Sequence, residues 1–145
     1  MTAAGPLRRL AALGYDMLLA TALLMGATAL YVAAVVGFTD LKGAIPAGSP
    51  YSQGLRVFLL CALFAYFAGF WVRAGYTPGM RAWRLKMVRF DKTPLIWRDA
   101  LARVCFALIS AIPLGLGFLW AFKDAQKLTW HDRLSRTVII MDPDP

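Results

Sequence analysis

A lone acid inside an apolar run, and a histidine beside an aspartate, are the residues of this sequence best placed to do chemistry. Asp16 is the single charge between Leu10 and Phe38. A carboxylate in hydrocarbon costs roughly 2.5–3.5 kcal/mol on insertion scales, so a buried acid must find a partner or bind and release protons and cations. His131 and Asp132 stand together in the polar stretch 128–136. Their plain reading is a solvated or turn-forming pair, with the His131 pKa near its usual value of about 6.5. Gly75, Thr77, Pro78 and Gly79, with Arg81 and Arg84 nearby, have the composition of a phosphate cradle. They lack the phosphate-loop lysine pattern and read better as a helix-stopping turn. His131 is the only histidine, and no Ser/His/Asp set, carboxylate pair or metal-ligand cluster occurs at working spacing. No enzyme, metal or cofactor is expected.

The elements that must position these residues are apolar. The chain has 145 residues, room for one domain, and is 59% hydrophobic. Its mean hydropathy of +0.57 is high for a soluble protein. The apolar residues come in blocks, about 10–38, 55–72 and 104–122. A bilayer core of about 30 Å needs roughly 20 apolar helical residues, which these blocks supply. Arg8 and Arg9 followed by an apolar stretch and Ala27-Thr28-Ala29 imitate a secretory signal. Asp16 within the would-be signal, and apolar sequence continuing to Val36, argue against cleavage. Cys61 and Cys105 lie in apolar runs, far apart, and read as packing residues.

Charge sets the expected topology. The net charge is +8, and residues 73–103 hold eight basic residues against Asp91 and Asp99. The linker 37–54 has Lys42 as its only basic residue. Lys and Arg gather on the cytoplasmic side, so the N-terminus and the basic loop 73–103 are expected inside and the linker outside. The basic loop suits anionic lipid headgroups; without a recognition motif, nucleic acid is not expected. The third apolar block contains Ala111-Ile112-Pro113-Leu114-Gly115-Leu116-Gly117, which breaks a helix. It reads either as a kinked single span or as a re-entrant hairpin that returns the C-terminus to the cytoplasm. Strand signals favour the hairpin. Trp83, Leu85 and Met87 alternate within 81–90, and Thr137 to Ile140 is a short β-branched run. Isolated strands leave backbone groups unpaired, so 84–90 and 137–140 are expected to pair on one side of the membrane. Between them, Asp91-Lys92-Thr93-Pro94 reads as a turn, with Thr93 capping a helix that runs from Leu95. The fold expected is all-α transmembrane, with two full spans, a broken or re-entrant third segment and a small cytoplasmic β element, as a single domain over 1–145.

The stretches "RRLAALGYDMLL", "GYTPGMRAWRLKMVRF", "LIWRDALAR" and "PLGLGFLWAF…QKLTWHDRLSRTVII" together resemble the RDD family of bacterial membrane proteins. The resemblance covers nearly the whole chain except 39–54 and the acidic tail. The arginine and two aspartates of the family's name fall by position on Arg9, Asp16 and Asp132. Met80 stands where many relatives carry lysine, which puts any role of that lysine in doubt here. The resemblance implies an inner-membrane protein, with sodium–proton antiport proposed for some members.

Arg9 and Asp16 lie seven apart, on one helix face but about 10 Å apart along the axis, so their direct contact is stretched. Asp132 is expected to reach Arg9 or another loop arginine if the tail folds back, holding it against the base of the first helix. Asp16 is the titrating candidate, with Arg9 setting its pKa and Asp132 at the cytoplasmic mouth; Thr77, Gly79, Arg84 and His131 are secondary candidates. The functional expectation is exchange of a monovalent cation, Na+, for H+. The alternative is a non-transporting scaffold or assembly module that binds anionic lipid or a partner protein. Ala29, Ala33 and Gly37, and Ala65 and Gly69, are spaced for close helix contact, and few spans enclose little polar volume. A homo-oligomer is therefore expected.

Overall fold

The computed structural model describes residues 3–39, 45–112 and 116–142. Two long helices dominate: α1 (Pro6–Phe38) and α2 (Pro50–Arg73). Each opens on a proline, whose fixed φ suits a first helical turn and whose missing N–H costs nothing there. At 1.5 Å per residue, the 33 residues of α1 run about 50 Å and the 24 of α2 about 36 Å. Both exceed what a 30 Å hydrocarbon core requires. Both are apolar and long enough to cross a membrane. Short elements follow: α3 (Pro78–Ala82), β1 (Leu85–Arg89), α4 (Trp97–Ala111), α5 (Leu116–Leu119), a 3-10 turn at Trp120–Phe122, α6 (Trp130–Leu134) and β2 (Thr137–Met141).

The chain divides into two compact units. Met17–Tyr66 holds most of the two long helices. Its outward surface is apolar, with Leu18, Met25, Leu30 and Leu60 each about two-thirds exposed or more. Leucines so placed suit acyl chains and would be a liability in water. Tyr31 pins the pair together: its hydroxyl donates to the Tyr51 carbonyl at 2.9 Å, and its ring lies 5.6 Å from that of Phe58. Gly54 sits under that hydroxyl, where any Cβ would collide with it. Among the described residues, nothing beyond the helix itself lies within 4 Å of where a Cβ on Gly37 or Gly69 would stand.

Met1–Asp16 and Phe67–Pro145 form the other unit, so the start of the sequence packs with its end. Strands β1 and β2 pair antiparallel, with Met87 opposite Ile139 and Val88 opposite Val138. The expected partnership of 84–90 with 137–140 is present; the ladder begins at Leu85, and Trp83 instead ends α3. A two-stranded ribbon is marginal alone. Here both faces are covered, Leu85 and Met87 by Ala4, Ala12, Met80 and Leu95, and Val88 and Val138 by Ala3 and Leu128. Extended residues before α1 stitch in as well: Ala4 N–H donates to Ile139 O at 2.8 Å and Ala3 N–H to Gln126 O at 3.0 Å.

One local expectation is corrected. Helix α4 starts at Trp97, not Leu95; Asp99 reaches back to the Ile96 N–H at 3.1 Å, while Thr93 hydrogen-bonds Asp91 within its own turn. An acid in the third helical position both accepts that orphan N–H and meets the helix dipole favourably, which Thr93 cannot do from outside the helix. The third apolar block is not one helix. A Cβ on Gly117 would lie 2.6 Å from Ser110 Cβ. Residues seven apart on a continuous helix are separated by about 10 Å, so α4 and α5 are separate helices that meet at Ser110 and Gly117. Pro113, Leu114 and Gly115, on which the expected break centres, lie outside the described residues.

Candidate functional site

Asp132 is placed by the short helix α6. Thr129 caps it, its hydroxyl accepting from the Asp132 N–H at 3.3 Å while Asp132 Oδ2 accepts from the Thr129 N–H at 3.0 Å. This reciprocal box fixes the carboxylate's position before any charge arrives. Arg9, from the second turn of α1, then donates Nη1 to Oδ2 at 2.6 Å. Arg103, from α4, brings Nη2 to Oδ1 at 2.7 Å. Asp132 is fully buried and Arg103 is 4% exposed. Each arginine also makes a second contact, Arg9 Nη2 donating to Ile139 O at 3.2 Å and Arg103 Nη1 to Thr137 Oγ1 at 2.6 Å. The Trp71 ring lies 5.9 Å from the Arg103 guanidinium, so this indole serves a buried cation as well as an apolar run end. One carboxylate thereby joins α1, α4, α6 and, through Ile139 and Thr137, β2.

The electrostatics follow from that crowding. Burial raises the Asp132 pKa, but Arg103 and then Arg9 more than offset it, and the carboxyl stays well below the usual carboxylate range. His131 is not the solvated pair member expected from sequence. Its Nε2 lies 3.0 Å from Thr129 Oγ1, and burial, aided by Arg103, pushes its pKa down to about 3 against the opposing pull of Asp132. The imidazole is neutral at physiological pH.

Asp16 occupies a second buried pocket in the same unit. Thr77 caps α3, accepts from the Met80 N–H at 3.2 Å, and donates its hydroxyl to Asp16 Oδ2. The Gly79 N–H donates to Asp16 Oδ1 at 2.9 Å. Gly79 is required by proximity: a Cβ there would come within 2.7 Å of Asp16 Cγ and closer still to the Ala12 carbonyl. The stretch from Gly75 to Thr77 is thus a turn between α2 and α3, as the sequence suggested. Gly75 ends α2 at φ 78°, and Thr77 opens α3. Thr77 and Gly79 face Asp16, while Arg84 is exposed and away from both buried pockets.

The family profile described as RDD family matches residues 3–136. The chain belongs to the RDD family. Comparison with curated proteins and with solved structures gave no match. Family membership and two apolar, membrane-length helices fit a membrane protein. Of the three residues carried over to this RDD protein, Arg9 and Asp132 meet directly, and Asp16 is held by Thr77 and Gly79. Arg9 directs its guanidinium to Asp132 and Ile139. Arg103 is the residue that sequence reasoning passed over, having counted it only among the charges of the basic loop. Its one signal is position, four residues after Asp99 and immediately before the uncharged block.

Proposed function

We propose that this RDD protein is a scaffold of the bacterial inner membrane whose charged residues lock a small folded cap to the base of its first span. Asp132, fully buried between Arg9 and Arg103, is the observation that carries this reading. A carboxylate with both oxygens committed to guanidinium groups, and a pKa far below physiological pH, is built to hold structure and not to exchange protons. On this reading both termini and the cap are cytoplasmic, α4 and α5 form a re-entrant hairpin, and the basic loop meets anionic headgroups. Copies of the chain associate through the exposed apolar faces of α1 and α2, and no catalytic step is assigned. In purified, reconstituted form the protein should show no cation-dependent proton flux above that of empty liposomes.

Asp16 motivates a second reading, cation–proton exchange. Its carboxylate, the Thr77 hydroxyl and the Ala12 carbonyl converge beside Gly79, a set of hard oxygens of the kind that suits Na+. Cation-dependent proton flux that disappears in Asp16→Asn, with assembly intact, would establish this reading and overturn the first.

A further inference from the structure

The second helix ends at Arg73, and beside that end the folded unit opens a cleft of about 480 Å³. Four cations line it: Arg73, Arg81 on α3, Arg84 in the turn after it, and Lys86 on β1. Asp142 is the single carboxylate on its wall. Among the described residues, no carboxylate lies within ion-pair distance of any of the four. Like charges gathered without counterions repel one another, and a bound anion relieves that repulsion. The walls are held in place. Arg81 lies 5.6 Å from the centre of the Tyr76 ring, and the Asp142 N–H donates to the Arg84 carbonyl at 2.8 Å.

A second cleft adjoins the first and shares Arg73, Ala74, Lys86 and Asp142 with it. Its remaining walls are largely apolar, with Val72, Met87, Pro94 and Ile140 among them and Lys92 as a further cation. A cationic chamber continuous with an apolar one matches a molecule that is anionic at one end and hydrocarbon at the other. The pair stands where a membrane-length helix stops. We propose that these clefts bind one anionic phospholipid, its phosphate among Arg73, Arg81, Arg84 and Lys86 and its acyl chains along the apolar walls. The inference rests on the reading of the chain as a membrane protein and is independent of whether Asp16 transports.

The test is retention of lipid by the intact protein purified in neutral detergent, measured by native mass spectrometry. Phosphatidylglycerol should be retained in preference to phosphatidylcholine. Arg81→Gln/Arg84→Gln should weaken phosphatidylglycerol binding roughly thirtyfold, from the worth of two cations at a lipid surface. Arg98→Gln/Lys127→Gln, which removes the same charge elsewhere, should change it by less than about twofold. Equal retention of the two lipids by the unaltered protein overturns the proposal without recourse to any variant. So does an equal loss in both double variants, which marks diffuse surface attraction. Displacement of the lipid by millimolar inorganic phosphate overturns the amphiphile and leaves a simple phosphate site. The liposome flux measurement can fail or succeed separately from all of these.

Discussion

Arg9 and Asp132 are 123 positions apart in sequence, yet Nη1 of one stands 2.6 Å from Oδ2 of the other, with the carboxylate fully buried. Removing one member of a buried ionic group leaves its partners charged and uncompensated, at a cost of about 3–5 kcal/mol. Asp132→Ala is therefore expected to destabilise the protein by that order in thermal or denaturant unfolding in detergent. The joint replacement Arg9→Leu/Asp132→Leu/Arg103→Met removes every charge at once and should cost far less. If the triple variant is as unstable as the single one, the ions are not the source of the penalty.

His131 gives stability a pH dependence with a definite sign. Its folded pKa of about 3 lies below the ordinary value of 6.5, so the unfolded chain binds the extra proton between those limits. Stability should be full above pH 6.5 and fall by up to about 1.4 kcal/mol per unit as the pH drops toward 3. Asp132 adds its own loss only at lower pH. Its depressed pKa contributes stability above the unfolded value of about 3.9, lost as pH falls toward the folded one. Melting temperatures compared at pH 7.5 and 5.0 isolate the histidine, and His131→Gln should flatten that difference.

Gly79→Ala is expected to be harmful despite adding one methyl group. The new Cβ would press on the Ala12 carbonyl and on Asp16 Cγ, backbone and buried side chain that have little room to yield. Overpacking of this kind costs about 1–3 kcal/mol. It should also push Thr77 away from Asp16, so unfolding measurements on Gly79→Ala and Thr77→Val singly and together should show less than additive losses.

Thr137 reports which side of the membrane the ribbon occupies. With Cys61 and Cys105 replaced, Thr137→Cys should resist a membrane-impermeant thiol reagent in intact cells, while a cysteine in the linker 45–49 labels readily. Thr137 is itself buried, so the same residue must label after permeabilisation and mild unfolding for the protection to count. Labelling in intact cells equal to that of the linker would place the cap outside and remove the cytoplasmic assignment.

The ribbon was legible because alternation and β-branching are local properties. Leu85 and Met87 share a face, Thr137 to Ile140 is branched, and two unpaired strands need each other. The Arg9–Asp132 contact followed from that pairing, since a tail brought back to β1 arrives at the foot of α1. Arg103 was not legible in the same way. Its role depends on how α4 is rotated toward α6, and its place at the edge of the uncharged block does not reveal that rotation among the eight basic residues of 73–103. His131 was misread for a similar reason. Exposure is a tertiary quantity, and a histidine in a polar stretch gives no sign that Thr129, Arg103 and Asp132 will enclose it. Thr77 and Gly79 were noticed as a turn, but their grip on Asp16, 61 and 63 residues away, required the fold.

A ribosome delivers Arg9 long before it delivers Asp132. At elongation rates of about 5–20 residues per second, the 123 intervening positions take roughly 6–25 s. During that interval the arginine has no buried counterion and must stay among water or headgroups, so the cap cannot close until residues 128–141 emerge. Chains halted at residue 127 should therefore be cleared by membrane proteases faster than full-length chains in a pulse-chase experiment; equal half-lives would contradict this. The contact that joins α1 to α6 thereby ties closure of the folded unit to the arrival of residues 128–141.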